Sequence, residues 1–317
     1  MTIPRASPIA VALKSRLRAM TAILSAFSLF VTQTAAYALP VGGQVNGGTA
    51  TITSAGSQVD INQSSQRALI DWQSFNINNG EAVNFQQPSS SAVALNRIHD
   101  ANPSQIDGAL SANGQVWLVN SQGIAFGSNA EVNVGGLLAT SSDIDNDRFM
   151  GGDYRFDIPG NPLATIRNSG SIRAADGGLA MLVGPNVLND GLIRARLGRV
   201  ELASGDTFAL DLYGDGLINL QASDAIISQL VSNSGTIAAD GGRVLLTKAV
   251  ARNVVDGLVN MDGVIQANSI DGLTGSVTLE SDGGTTLVSG NIAARGGSGG
   301  EKGGLVGVLG HYGIGRE

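Results

Sequence analysis

The sequence predicts an all-β solenoid, a stack of coils made of short strands, and two observations lead to this fold class. The first is a repeated phrase, usually two small polar residues, a glycine, one variable residue and an isoleucine, whose copies lie 19 to 28 residues apart. The isoleucines of its six copies are Ile172, Ile193, Ile218, Ile237, Ile265 and Ile292. Repetition at a period of about 20 to 50 residues indicates one supersecondary unit stacked on itself.

The second observation is that the repeated units have the composition of strands. Val, Ile, Leu and Thr alternate with small or polar residues in runs such as 200–203 and 244–247, and Gly, Asn and Asp cluster between the runs. Those three residues suit turns, because Gly adopts positive φ and Asn and Asp side chains bond the backbone. Beyond the N-terminus no stretch shows an apolar stripe of helical period. The aromatic content of 4% suits a thin coil filled by aliphatic side chains.

The first 38 residues predict a secretory signal peptide. Four basic residues within 5–18 precede an apolar run over 19–31, and Ala36, Tyr37 and Ala38 form a small-residue cleavage motif before Leu39. This order of regions is typical of signal peptides. The apolar run is shorter than the roughly 20 residues that span a bilayer, which disfavours a membrane anchor.

Composition excludes several classes of protein. The hydrophobic content of 43% and the mean hydropathy of +0.13 argue against a disordered Gly-rich chain. The predicted signal peptide holds four basic and no acidic residues, so the remaining chain carries 15 basic and 26 acidic residues, a net charge of −11. Such a chain lacks the basic face that nucleic acid requires. It also has no cysteine, so no disulfide hinders passage across a membrane in an unfolded state.

The exported part of the chain is predicted to divide at about residue 165. Residues 39–164 have longer turns and both tryptophans, whereas 165–295 hold the regular coils. The polar segment 143–154 is predicted to be a surface loop or a small hairpin between coils. Residues 296–317 form a Gly-rich tail in which 305–309 read as the start of a further coil. Because no polar cap follows, the sequence fits either the N-terminal portion of a longer fibre or a truncated gene.

Distinctive phrases follow one another in the first part of the exported chain. They are Ile70–Ile77, Glu81–Pro88, Ala94–Ile98, Pro103–Gly108 and Asn113–Gly127. In this order they resemble the N-terminal secretion domain of filamentous haemagglutinin-type exoproteins, the passengers of bacterial two-partner secretion. The resemblance covers roughly 39–165, and the repeats behind it are those that such a protein would have.

The resemblance implies both a fold and a partner. The fold is a right-handed parallel β-helix with an N-terminal cap. The partner is an outer-membrane β-barrel transporter of a Gram-negative bacterium, whose POTRA domains recognise the secretion domain in the periplasm. The chain then threads through the barrel and folds outside the cell or on its surface.

Two phrases are the candidate secretion motif. The residues are Asn96, Arg97, Ile98, Asn120, Ser121, Gln122, Gly123 and Ile124. The second phrase departs from the family pattern Asn-Pro-Asn-Gly-Ile, since it lacks the proline, and the family phrase Asn-Pro-Asn-Leu has no copy here. Asn120 and Gly123 suit a tight turn, so the phrase serves either folding alone or direct contact with the transporter. Arg97 suits a clamp on a backbone carbonyl or a carboxylate.

The rare large aromatic residues and the acidic cluster fit structural roles better than ligand binding. Trp72, Phe75, Phe85 and Trp117 are predicted to plug the open end of the helix rather than to form a ligand cage. Asp143, Asp145 and Asp147 have the alternate spacing of calcium ligands but lack an EF-hand pattern, so a solvated loop is favoured. With two histidines and no cysteine, no metal site and no cofactor are predicted.

Catalysis is the main alternative, since parallel β-helices also house polysaccharide-cleaving enzymes. Asp176 and Asp240 occupy equivalent repeat positions, which turn chemistry explains without a catalytic role. A basic stripe for an anionic glycan is a further possibility, formed by Arg173, Arg194, Arg196 and Arg199. The sequence therefore predicts a non-enzymatic secreted exoprotein with adhesive activity toward a host cell or glycan. A carbohydrate-active enzyme and a remnant of a larger adhesin or contact-dependent toxin are the alternatives.

Overall fold

Three sheets surround a common core in the computed structural model, which describes residues 38–212, 216–254, 257–297 and 300–311. The first sheet has ten strands. In spatial order they are β1 (Gln44–Gly47), β4 (Arg67–Trp72), β6 (Val93–Ile98), β9 (Gln115–Asn120), β12 (Gly136–Thr140), β16 (Leu179–Gly184), β19 (Arg199–Ser204), β24 (Arg243–Lys248), β27 (Ser276–Asp282) and β30 (Leu305–His311).

The second sheet also has ten strands. They are β2 (Ala50–Ala55), β3 (Gln58–Gln63), β5 (Ala82–Gln86), β8 (Ala109–Ala112), β11 (Glu131–Val134), β15 (Ser171–Ala174), β18 (Leu192–Arg194), β23 (Thr236–Ala238), β26 (Val264–Gln266) and β29 (Asn291–Ala293). The third sheet has seven strands. They are β7 (Ser104–Ile106), β10 (Gly123–Phe126), β14 (Thr165–Asn168), β17 (Asn186–Asn189), β22 (Leu230–Asn233), β25 (Leu258–Met261) and β28 (Thr285–Val288).

From β6 onward the chain visits the first, third and second sheets in turn, and each coil pairs in parallel with its neighbours. At the N-terminal end the direction reverses, because β1 pairs antiparallel with β4 and β2 pairs antiparallel with β3. This hairpin-like end covers the first coil. The predicted right-handed parallel β-helix with an N-terminal cap is thereby confirmed.

The repeated isoleucines explain how the coils stack. Ile172, Ile193, Ile237 and Ile265 face one another in register along the second sheet, and all four are fully buried. They belong to one continuous apolar core that runs from Val59 to Leu279. Stacked identical side chains fill a thin coil without voids, which is why a chain with so few aromatic residues forms a packed interior.

The asparagine that opens several copies of the repeated phrase also lies inside the β-helix. Asn168, Asn189 and Asn233 occupy the last positions of β14, β17 and β22, and all three are fully buried. The Asn168 amide donates to Asn189 Oδ1 at 2.8 Å, and the Asn189 amide donates to Asn233 Oδ1 at 2.6 Å. The ladder continues to the sulfur of Met261 at 3.3 Å. Each buried amide is thus satisfied by the coil beside it.

One predicted repeat copy is wrong. Ile193 pairs directly with Ile237, so the copy at Ile218 is not part of the coils. Ile218 instead lies in β21 (Gly216–Gln221), and 38% of its surface is exposed. Gly214 and Asp215 of that copy lie outside the described residues. The phrase reappears here because an edge strand after a turn needs the same residue types as a coil.

An accessory layer lies on the outer face of the first sheet. It consists of α1 (Asn146–Gly151), β13 (Arg155–Phe156), β20 (Thr207–Asp211) and β21, with the three strands paired antiparallel. The segment 143–154, predicted as a loop or hairpin, therefore contains a helical turn. Asp145 caps it by accepting hydrogen bonds from the backbone N–H groups of Asp147 and Arg148, and Gly152 ends it at a φ of 85°.

The accessory layer encloses a second apolar core outside the helix. Trp117 packs edge-on against Phe149 and Tyr154, and the rings of Phe156 and Phe208 stack 4.6 Å apart. Outward-facing residues of the first sheet complete this core, namely Leu69, Leu95, Leu138 and Met181. Trp117 thus does not plug the end of the helix as predicted, whereas Trp72, Phe75 and Phe85 do lie within the main core near the cap.

The described residues contain no helix long and apolar enough to cross a membrane. The predicted signal peptide, apart from Ala38, lies outside the described residues. All three sheets run past residue 165 without interruption, and the predicted division there stays a prediction.

Candidate functional site

The two phrases of the candidate motif lie side by side in the structure. They end neighbouring parallel strands, because Ile98 of β6 is paired with Asn120 of β9. The chain leaves the first sheet after each strand, so the residues that follow meet at one corner of the β-helix. We call this corner, formed by 97–102 and 120–123, the motif corner.

Asn120 holds the turn of the motif corner from inside. It is fully buried. Its amide donates to the carbonyl of Asn102 at 3.1 Å and to Ser104 Oγ at 3.0 Å. Its Oδ1 accepts the backbone N–H of Gln122 at 2.9 Å. A single side chain therefore joins two successive coils, which is what a buried asparagine in a turn does well.

Gly123 is confined by the next coil. Its φ is 111°, and a Cβ atom there would lie 2.5 Å from the carbonyl oxygen of Thr165. Both the backbone conformation and the close approach require glycine. Ile124, which follows, is fully buried in the main core.

Asn96 and Ile98 also face inward. The Asn96 Oδ1 accepts the indole N–H of Trp72 at 3.0 Å, and its amide donates to the carbonyls of Ala94 and Trp117 at 3.1 and 3.3 Å. Ile98 belongs to the main core. The side chains of these two residues therefore support the motif corner from inside the β-helix and are not accessible to a partner.

Arg97 clamps the start of the accessory layer. Its Nε lies 2.8–2.9 Å from both carboxylate oxygens of Asp143, and the other guanidinium nitrogens donate to Asn146 Oδ1 at 2.7 Å and to the carbonyl of Ile144 at 2.6 Å. Asp71 lies 3.6 Å away. The predicted clamp on a carbonyl and a carboxylate is present, and it joins the first sheet to α1.

The accessible part of the motif corner is small. Among the eight predicted residues, Ser121 is exposed, and Arg97 and Gln122 are half-buried. These three line a shallow cavity of about 370 Å³ together with His99, Asp100 and Asp143. His99 is bonded to Asp71 at 2.7 Å. Two carboxylates, one guanidinium and one imidazole therefore line this cavity, so it is polar and charged.

The predicted cleavage motif lies at the edge of the described chain. Ala36 is outside the described residues. The backbone N–H of Ala38 donates to the carboxylate of the buried Glu81 at 2.9 Å, and Leu39 is half-buried against the main core.

Four of the five acidic residues predicted as possible metal ligands or catalytic groups have structural partners, and Asp147 is exposed. Asp143 binds Arg97, and Asp145 caps α1. Asp176 pairs with Arg196 at 2.5 Å, and Asp240 Oδ1 accepts the backbone N–H of Asn268 at 2.9 Å. In the described part of the chain, no group of three or more His, Asp or Glu side chains is placed to hold a metal ion.

The predicted arginine stripe is divided between sheets. Arg173 and Arg194 are paired in register on the second sheet, whereas Arg199 lies on the first sheet and donates to the carbonyl of Leu212 at 2.9 Å. Arg196 is engaged by Asp176 and Asp271. Four arginines close in sequence therefore do not form one basic surface, because consecutive strands of a coil belong to different sheets.

Sequence reasoning missed the segment that lies against the motif corner. The backbone N–H of Asn161 donates to the carbonyl of Ser121 at 2.8 Å, and the Asn161 amide donates to Gln122 Oε1 at 3.0 Å. The sequence carries a signal for a rigid segment, since Pro159 and Pro162 flank Asn161. No feature of the sequence shows that this segment contacts Ser121.

Comparison with known proteins agrees with this architecture. A sequence profile described as the TPS secretion domain matches residues 36–294. Two heme/hemopexin-binding proteins of Haemophilus influenzae are each 33% identical to this chain, over 259 and 258 residues. These matches cover 79% and 74% of this chain but only 28% and 27% of the relatives, so the chain spans about a quarter of their length.

Solved structures show the same fold. The HMW1 secretion domain of Haemophilus influenzae superposes with a TM-score of 0.72 at 29% identity, over 80% of this chain and 66% of that one. The filamentous hemagglutinin secretion domain superposes with a TM-score of 0.52 at 14% identity, over 86% and 99% of the two chains, and supports the fold alone. The matched family is one of secretion domains. The chain belongs to the TPS secretion domain family, the secretion domains of two-partner exoproteins.

Proposed function

We propose that this chain is the secretion domain of an exported protein and that its motif corner contacts the periplasmic POTRA domains of an outer-membrane transporter. The observation that carries the proposal is the meeting of the two motif phrases at one corner, where Ser121 is exposed beside Gln122. Buried members of the motif, such as Asn96 and Asn120, hold the corner in shape. Exposed members make the contact.

The proposed route begins with removal of the signal peptide after Ala38. The chain then enters the periplasm, binds the transporter through the folded motif corner, unfolds to pass through the barrel and folds again outside the outer membrane. The acidic net charge and the lack of cysteine support this route, because neither a disulfide nor a basic surface retains the chain on the way. Adhesion to a host cell or glycan remains a prediction of the resemblance.

The names of the curated relatives refer to haem and hemopexin. The match spans only 28% and 27% of their length, so these ligands are known from the names of the relatives alone. No feature of the motif corner favours a second function over transporter recognition.

The test is a binding measurement with the chain beginning at Leu39 and the periplasmic domains of the transporter encoded beside it. Ser121→Tyr places a ring on the exposed corner and is expected to weaken binding at least tenfold. Ser289→Tyr, a matched change at an exposed serine after β28, is expected to leave Kd unchanged. Folded wild-type chain that fails to bind these domains would refute the proposal.

A further inference from the structure

An exposed apolar pair flanks the motif corner. Ile158 and Leu163 belong to the loop 158–163, which leads from the accessory layer back to the third sheet. Their exposed fractions are 47% and 56%, large for aliphatic residues of this size. Single exposed aliphatic residues are common, but two of them beside a functional surface indicate a contact site.

The loop is fixed to the motif corner by hydrogen bonds. Asn161 binds the backbone of Ser121 and the side chain of Gln122, as described above. The Asn161 Oδ1 accepts the backbone N–H of Leu163 at 2.9 Å. Ile158 exchanges two backbone hydrogen bonds with Asp143, at 2.8 and 3.2 Å. The backbone that carries both apolar side chains is therefore held in place before any partner binds, which lowers the entropy cost of association.

The cavity beside the loop has an excess of negative charge. Asp100 and Asp143 line it, and Asp71 lies next to it through contacts with His99 and Arg97. Three carboxylates thus face one guanidinium and one imidazole. The excess of negative charge remains even when the imidazole of His99 is protonated. Asp71 and Asp143 are paired with Arg97 and His99, so Asp100 is the carboxylate of these three that no cation of the described residues pairs.

We propose that the loop 158–163 and this cavity form one docking surface for a segment of the transporter's periplasmic domain that presents a lysine or arginine between aliphatic residues. The cation enters the acidic cavity, and the aliphatic residues pack on Ile158 and Leu163. This inference rests on the proposed function, since it names the chemistry of the same partner. Asn161 acts as a positioning residue that couples the loop to the motif corner.

Charge complementarity selects this partner over an anionic glycan or a lipid headgroup. Both of those ligands would place negative charge against Asp100 and Asp143 and would be repelled. A cationic side chain is attracted instead, and the attraction between partly exposed charges weakens as salt rises. The apolar pair supplies contact area that salt does not weaken.

The experiment measures Kd between the full chain beginning at Leu39 and the transporter's periplasmic domains. The double variant Ile158→Ser, Leu163→Ser is compared with Ile227→Ser, Val250→Ser, a matched pair with exposed fractions of 63% and 51% away from the motif corner. The first pair is expected to weaken binding at least tenfold and the second less than twofold. Far-ultraviolet circular dichroism and the thermal midpoint establish that both variants fold.

A second measurement tests the cavity. Asp100→Asn is expected to weaken binding about fivefold at low salt and to reduce the salt dependence of Kd, whereas Glu131→Gln, an exposed change on the second sheet, is expected to do neither. If the wild-type chain binds and the Ile158 and Leu163 variant binds equally well, the inference is wrong and the proposed function stands. If the wild-type chain does not bind, the proposed function fails as well.

Discussion

Gly123 and Asn120 share one turn but constrain it in different ways. The buried side chain of Asn120 connects two coils with two hydrogen bonds and closes its own turn with a third. Gly123 lets the backbone take a φ of 111° while the carbonyl of Thr165 approaches it closely. A change at either residue therefore alters folding as well as any contact with a partner. Transporter binding is better probed at Ser121, whose side chain is exposed.

The glycine at position 123 is expected to be more sensitive than a glycine of positive φ that has open space around it. Gly123→Ala combines an unfavourable φ with a clash against Thr165, and we expect it to lower the free energy of unfolding by about 3 kcal/mol. Gly177→Ala is the control, since its φ is +78° but nothing lies within 4 Å of an added Cβ. There we expect a loss of about 1 kcal/mol. Urea unfolding measures both, and equal losses would show that the close approach to Thr165 contributes nothing.

At the scale of elements, the regular coils were predictable and the accessory layer was not. A coil strand can be predicted from its own sequence, because Ile172, Ile193 and Ile237 each stand two residues after the glycine of the repeated phrase. The accessory layer depends on contacts between distant segments, such as Phe156 with Phe208. No local pattern records that pairing, and an edge strand such as β21 carries the same phrase as a coil.

The candidate site was predictable to a similar degree. The motif residues and the clamp by Arg97 follow from residue type, since a buried guanidinium needs carboxylate or carbonyl partners. The identity of those partners does not follow from residue type, because Asp143 and Ile144 lie more than 40 residues from Arg97 in sequence. Trp117 illustrates the same limit. Its size predicts burial, but the sequence does not show that it lies outside the main core.

Glu201 makes the attachment of the accessory layer sensitive to pH. It lies on β19, and its carboxylate accepts the backbone N–H of Leu217 in β21 at 3.0 Å. Burial raises the pKa of Glu201 to about 7, although the hydrogen bond from Leu217 and the nearby Arg199 and Arg243 favour the charged form. The folded chain therefore keeps a proton that the unfolded chain releases above about pH 4.5.

The expected result is that this group's contribution to stability is full below about pH 4.5 and is lost as pH rises to about 7. The loss amounts to roughly 3 kcal/mol. Glu201→Gln has no proton to lose, so it should become more stable relative to the wild type as pH rises, and urea unfolding at pH 4.5 and pH 8 measures the change. If the free energies of unfolding of the variant and the wild type differ by the same amount at both pH values, this account is wrong.

At the scale of the whole molecule, the same parallel ladders that stabilise the β-helix must be absent during passage through a barrel. Each coil bonds only to its neighbours, so the stack can form one coil after another as the chain emerges. The lack of cysteine matters in this setting, because the periplasm oxidises thiols and a bridge between coils would fix a closed loop. A single engineered bridge therefore tests whether the chain crosses the outer membrane unfolded.

Thr236 and Val264 suit that bridge. They face each other in register on β23 and β26, and both point outward, since the neighbouring Ile237 and Ile265 are buried. Adjacent strands lie about 4.8 Å apart, within the range of Cα separations in disulfides. With Thr236→Cys and Val264→Cys together, the bridge closes a loop that links two coils.

We expect the bridged chain to remain in the periplasm. The chain is expressed first, without the transporter, so that it accumulates in the periplasm and its cysteines oxidise. Expression of the transporter is then induced, and immunoblots of the medium and the cell surface measure the exported fraction. The single variant Thr236→Cys should be exported like the wild type, and a reductant added before induction should restore export of the double variant. Export of chain that was already bridged before induction would mean that the transporter passes a closed loop, and the unfolded route would have to be abandoned.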